Sequence, residues 1–189
     1  MRRMLTLLVL CGLLPAAPSL AEDAAAFPSK SMRVVIPFPP GGAADTFGRL
    51  IGAKLGEAWS QPVVADNKPG AGGQVATQIV AGAPGDGYTM LIVTVGHAVN
   101  PSLYPNLLYD TGKDLKPVAM VARAPSVLVV NPSVEAKSVA ELLALAKAKP
   151  KSLNYASSGN ASTSHIAGVL LTTLGKVEMT HVPYRGSAP

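Results

Sequence analysis

Three short apolar, β-branched runs mark the first half of the chain: RVVIPF over 33–38, QPVVA over 61–65 and YTMLIVTV over 88–95. Unbroken apolar runs of this length suit strands covered on both faces, as in parallel sheets with helices packed on each side. Between the first two, Phe47, Leu50, Ile51, Lys54, Leu55 and Ala58 follow helical spacing with only Lys54 polar. One face of that helix is expected to be apolar, while Arg49, Lys54 and Glu57 reach water. A second helix is expected over Gly73–Ala83, after NKPGAGG and ahead of Pro84-Gly85 and Asp86-Gly87, which end it.

Further on, PVAMVARAPSVLVVN (117–131) predicts two strand segments broken near Arg123, Ala124 and Pro125. Ser138–Lys149 predicts a helix with Ser138 as cap, Glu141 completing a capping box, and Val139, Leu142, Leu143 and Ala146 as its buried stripe; Pro150 stops it. A strand over Leu153–Ala156, a helix over Ser162–Leu174 closed by Gly175, and a strand over Val177–Val182 follow. The repeated β, α, β order indicates an α/β architecture with parallel sheets. A division at or slightly before Asn131-Pro132 predicts two lobes, the first over 22–125 and the second over 126–189. The chain stops at VPYRGSAP, straight after a predicted strand where a βαβ unit calls for a covering helix, so a truncated second lobe is expected.

Residues 1–21 are set apart by their own pattern. Arg2 and Arg3 precede an apolar run over Met4–Leu14, and Ser19, Leu20 and Ala21 offer small residues near a cleavage point, so a secretory signal peptide is expected. The run is shorter than the roughly 20 residues a spanning helix needs. Removing this segment takes away two arginines and no acid, lowering the formal charge from +5 to +3. That mild excess is scattered, and aromatic residues make up 5%, which argues against nucleic acid as a partner. With 48% hydrophobic residues, the chain can bury a core. The sole cysteine, Cys11, falls within the predicted leader, excluding mature disulfides, thiol catalysis and cysteine metal sites. Leu10 stands just before it, where a lipid-anchored cysteine needs a small residue.

Candidate chemistry gathers at two turns. In PFPPGGAAD (37–45) a strand passes through Pro39, Pro40, Gly41 and Gly42 into a helix, whose first amides and dipole can face an anion. Asp45 in the first turn argues against phosphate, and the segment has neither a P-loop ending nor GxGxxG spacing. A tight connection capped by Asp45 explains the same residues without any ligand. The second turn, YASSGNASTSH (155–165), sets short hydroxyl and amide side chains between a strand and a helix, suited to a polar small molecule. One such turn per lobe suggests a cleft that closes on a ligand. His165 fits ligand contact, general base catalysis beside a serine, or a satisfied histidine in a first helical turn. No GxSxG elbow accompanies it. His97 and His181 are too scattered to define a metal site, and His181 on a strand reads as structural.

PFPPGGAAD, NKPGAGG, GDGYTML, SSGNASTSH and THVPYRGSAP, in this order and spacing, resemble the Bug family of periplasmic solute-binding proteins, the receptors of tripartite tricarboxylate transporters. The resemblance covers essentially the whole mature chain. It implies a two-lobed type II periplasmic binding protein fold, a small carboxylate as ligand (a di- or tricarboxylate, acidic amino acid or aromatic acid), membrane permease subunits as partners, no cofactor and no catalysis. It implies binding roles for Phe38, Pro39, Pro40, Gly41, Gly42 and Asp45 in the first lobe, and for Ser157, Ser158, Gly159, Asn160, Ser162, Thr163 and His165 in the second. VGHAVN (95–100), with His97, is implied to approach the cleft. Family members continue well beyond YRGSAP, so binding competence is a separate question. The rival expectations are a secreted hydrolase using Ser158 or Ser164 with His165, and a fragment with no site.

Overall fold

A computed structural model of the protein describes residues 27–187. The predicted signal peptide and Cys11 lie outside the described residues.

The first half forms a three-stranded parallel sheet of β1 (Met32–Ile36), β2 (Val63–Asn67) and β3 (Thr89–Leu91), in the order β2-β1-β3. In β1, Met32, Val34, Val35 and Ile36 are all buried, as a central strand covered on both faces requires. Register runs from Met32 opposite Val63 to Ile36 opposite Asn67 on one side, and from Arg33 opposite Thr89 on the other. Parallel pairing brings the carboxyl ends of β1 and β3 to one edge, where the turns after Ile36 and Leu91 lie side by side.

Helix α1 (Ala43–Trp59) crosses from β1 to β2 and packs differently from its predicted stripe. Its sheet-facing line is Gly48, Gly52 and Gly56, four residues apart on one face. A Cβ at Gly48 would stand 2.8 Å from Ile36 Cδ1, and one at Gly52 would stand 3.3 Å from Val63 Cγ1. The helix backbone therefore lies almost directly on the strands. Phe47, Ile51 and Leu55 flank this seam half-buried, while Leu50 and Ala58 are exposed.

After β2, a 3-10 turn (Ala71–Gly73) leads into α2 (Gln74–Ala81). The predicted strand over 88–95 is cut short: β3 ends at Leu91, and α3 (Val95–Leu103) begins four residues later. Gly96 and Pro101 are poor helix formers, so local propensity hides α3. Its fixed points are tertiary, since Asn100 Nδ2 donates to the Gly72 carbonyl at 3.2 Å.

The two strands expected within 117–131 do not form, and the segment is irregular and exposed throughout. Val118, Val127 and Val129 are more than three-quarters exposed. A strand needs a neighbour for its ladder, and no described strand pairs with this run.

The second half holds α4 (Val139–Ala148), β4 (Asn154–Ser157), α5 (Thr163–Gly175) and β5 (Thr180–Pro183), with β4 and β5 paired in parallel. Ser138 caps α4 by accepting from Glu141 N, and Glu141 Oε2 reaches back to Lys137 N, one residue before the cap. Leu142 and Ala146 are buried as expected, but Val139 is exposed. Helix α5 runs one residue past its predicted end and closes at Lys176, which takes the left-handed conformation. Among the described residues, no helix is long and apolar enough to cross a membrane.

Candidate ligand-binding site

The glycine turn after β1 is braced from within. Asp45, only 5% exposed, accepts hydrogen bonds from Gly41 N at 3.0 Å, Arg49 Nε at 2.9 Å and Asn67 Nδ2 at 2.9 Å. Asn67 Nδ2 also donates to the Phe38 carbonyl at 2.9 Å, and Arg49 donates to Asn67 Oδ1 at 2.7 Å. The Arg49 guanidinium, with the Gly41 and Asn67 donors, holds the Asp45 carboxyl down to about 2 against the opposing effect of burial.

This arrangement changes the expected inventory. Asp45 is a brace for the turn, and it already occupies the Gly41 amide. The N-cap of α1 is Gly42, which offers no side-chain cap. The amides of Gly42, Ala43 and Ala44 have no hydrogen-bond partner among the described residues, so they are the donors this helix start presents. Gly41, at φ 91°, allows a backbone bend that a side chain would resist.

The second turn is bonded mostly to itself. Ser157 Oγ accepts from Gly159 N, Ser164 Oγ accepts from Ser158 N, and His165 Nδ1 accepts from Ala161 N at 3.1 Å. Ser162 is buried as the N-cap of α5, its Oγ accepting from His165 N. Ser157 and Ser162 are thus enclosed and act within the protein. Thr163 and Asn160 are exposed, and the amides of Asn160, Thr163 and Ser164 have no partner among the described residues.

His181, outside the sequence-named set, proves central to this turn. Its Nε2 is 2.6 Å from Ser157 Oγ, and its ring stacks on His165 at 4.2 Å and on Tyr155 at 4.9 Å. Burial, then the neighbouring His165, lowers the His181 pKa. The serine–histidine pair that forms is therefore Ser157–His181, with the serine buried. Ser158 and Ser164 hydroxyls meet each other at 3.2 Å, and neither bonds the His165 ring among the described residues. Among the described residues, no carboxylate comes within ion-pair reach of a histidine to orient a catalytic base.

The two turns are joined through residues that the sequence-named set omits. Gly186 N donates to the Ser158 carbonyl at 3.2 Å, and a Cβ at Gly186 would stand 3.3 Å from the Pro39 ring. Ser187 lies against Gly42. The Asn160–Ala161 backbone, in turn, lies against Gly72 and Gly96. Close backbone approach is the chemical use of these glycines, and NKPGAGG and YRGSAP carried that signal in their composition alone.

His97 and Phe38 fall together with Gly72, Thr94 and Asn100 around a cavity of about 10 Å3 at the carboxyl ends of β1 and β3. Burial lowers the His97 pKa, so the ring is neutral at pH 7. Parallel sheets with helix starts at their carboxyl edges, and loops that meet across those starts, form the kind of crevice in which open α/β folds hold small ligands.

A sequence profile described as the tripartite tricarboxylate transporter family receptor, TctC, matches residues 48–189. The chain is 43% identical over 169 residues to a UPF0065 protein in the tcbD-tcbE intergenic region of Pseudomonas sp. strain P51, covering 89% of this chain and 50% of that protein. It is 35% identical to the protein BugT of Bordetella pertussis, covering 98% of this chain and 58% of that one. Among solved structures, R. palustris Rpa4515 with adipate superposes with a TM-score of 0.80 at 42% identity, over 86% of this chain and 55% of that chain. MatC from Rhodopseudomonas palustris with bound malate gives a TM-score of 0.78 at 36% identity, over 85% and 55% of the two chains. The protein belongs to the tripartite tricarboxylate transporter receptor family, the family to which the Bug proteins belong. Its members are periplasmic solute-binding receptors, not enzymes. The chain spans about half the length of the curated relatives it matches.

Proposed function

We propose that this chain is the solute-capturing part of an extracytoplasmic receptor that holds a small carboxylate between two lobes, 22–125 and 126–189, and hands it to a membrane permease. In this reading residues 1–21 are a cleaved leader and the protein works in the periplasm. The observation that carries it is the meeting of the two turns: the Gly42–Ala44 amides start one helix, the Thr163–Ser164 amides start another, and Gly186 and Ser187 link their loops. Free amides at helix starts bind a carboxylate without bringing a counter-charge that would hold it permanently. Phe38, Pro39, Pro40, Gly41 and Gly42 shape the first wall, with Asp45 bracing it. Ser158, Gly159, Asn160 and Thr163 shape the second, with Ser157, Ser162 and His165 bracing it. His97 stands on the first wall. The relatives solved with adipate and with malate support the ligand class.

Calorimetric titration of the purified protein with di- and tricarboxylates, acidic amino acids and aromatic acids tests the proposal. Saturable binding of one carboxylate is expected. Binding of a different ligand class with no carboxylate response would refute it.

A further inference from the structure

Asn100 is 1% exposed, yet its Oδ1 has no hydrogen-bond partner. Its amide orientation is fixed, because Nδ2 donates to the Gly72 carbonyl; a reversed amide would set two acceptor oxygens against each other. One turn earlier in α3, His97 Nδ1 is likewise buried and unpartnered. Both residues line the same cavity of about 10 Å3, which is room for roughly one water molecule. Each of these atoms belongs to a residue that lines this space, and burying such an atom unsatisfied is costly, so each lacks a partner that a small rearrangement of the cavity wall would admit.

The chemistry of that partner is constrained. Asn100 Oδ1 can only accept, so the partner must donate. No lysine or arginine lines the cavity, so a second carboxylate would find no permanent counter-charge there. A hydroxyl meets these conditions: it donates to Asn100 and either donates to or accepts from His97 according to the imidazole tautomer. Phe38, from the glycine turn, lines the same cavity, which places it in the wall of the cleft.

We propose that Asn100 and His97 form a seat for one hydroxyl group, filled by water in the free protein and by the hydroxyl of a bound hydroxycarboxylate. The ligand half of this statement rests on the carboxylate-capture reading; the water half stands without it.

A high-resolution crystal structure of the ligand-free protein should show an ordered water about 3 Å from Asn100 Oδ1. In calorimetry with acids differing by one hydroxyl, succinate against malate and butyrate against 3-hydroxybutyrate, the hydroxylated member should bind about five-fold tighter. His97→Phe, checked for an unchanged melting profile, should erase that difference. A water that persists in the complex while both members bind equally overturns the selectivity and assigns the seat to solvent. An empty cavity with equal binding overturns the seat altogether. If no acid binds, the carboxylate reading falls, and the crystallographic water alone decides the seat.

Discussion

Gly96, in the first turn of α3, lies so near Ala161 that a Cβ at position 96 would stand 2.3 Å from the Ala161 carbonyl oxygen. Gly72 widens the seam, its Cβ position being 3.1 Å from the Ala161 methyl. Elements belonging to the two sheets therefore touch through bare backbone. Ala161 itself is held at φ 60°, a conformation that non-glycine residues seldom take.

Substituting Gly96→Ala tests this contact. In a solvent-exposed helix the change would stabilise by about 1 kcal/mol, so a loss identifies the packing as its cause. We predict that the variant weakens ligand binding by ten-fold or more and widens the particle in small-angle scattering. Unchanged affinity would show that the bound protein does not use this contact.

Removing the Asp45 carboxylate should loosen the first turn. Asp45→Ala leaves Gly41 N, Asn67 Nδ2 and Arg49 without their shared acceptor. A loss of about 1–3 kcal/mol is expected in urea unfolding. Because the native pKa lies below the ordinary 3.8, the wild-type stability from this group is present above that value and is lost as pH falls toward about 2. The variant should show a flatter acid limb over that interval.

His181 predicts a second, milder acid response. His181 has a lowered pKa, so the unfolded chain binds its proton first and stability falls as pH drops below about 6.5. His181→Phe keeps a stacking ring without a titrating one. Its melting temperature should change less than that of the wild type between pH 7 and 5; equal slopes would contradict the assignment.

The uncovered run over 117–131 is a liability in isolation. Val118, Met120, Val127, Leu128 and Val129 are all exposed, forming apolar surface with no partner among the described residues. Val127→Lys with Val129→Lys should reduce light scattering on concentration and leave the melting temperature within about 1 °C, because neither side chain is packed. A marked destabilisation would mean that the run is covered in solution.

Much of the fold was legible because its signals are local. The β1 run is apolar at every inward position, and Ser138 and Ser162 announce their helices through side-chain caps that the structure contains. The failures come from interactions at a distance. Helix α3 contains Gly96 and Pro101 and owes its place to Asn100 and Gly72, which no periodicity connects. The run over 117–131 has strand composition, but composition supplies no neighbour to pair with. In α1 the apolar stripe drew the eye from Gly48 and Gly52, whose contribution is the absence of a side chain.

The proposed site was legible as two turns and illegible as a set of roles. Strand-turn-helix composition marked Gly42 and Thr163 as the starts of helices, which the structure contains. It did not distinguish presented groups from bracing ones, because Ser157 and Ser158 look alike in sequence while one is buried against His181 and the other is not. His97 was implied near the cleft, but its relation to Asn100 depends on helical spacing in a helix that propensity conceals.

Because Asp45 claims the Gly41 amide, the capacity of this turn for an anion cannot be judged by counting its glycines. An internal carboxylate rations the donors before any guest arrives, and it does so down to strongly acidic solution. Designers who transplant such a turn to a new scaffold would have to carry Asp45, Asn67 and Arg49 along with it, or accept a loop whose appetite for anions is set by chance.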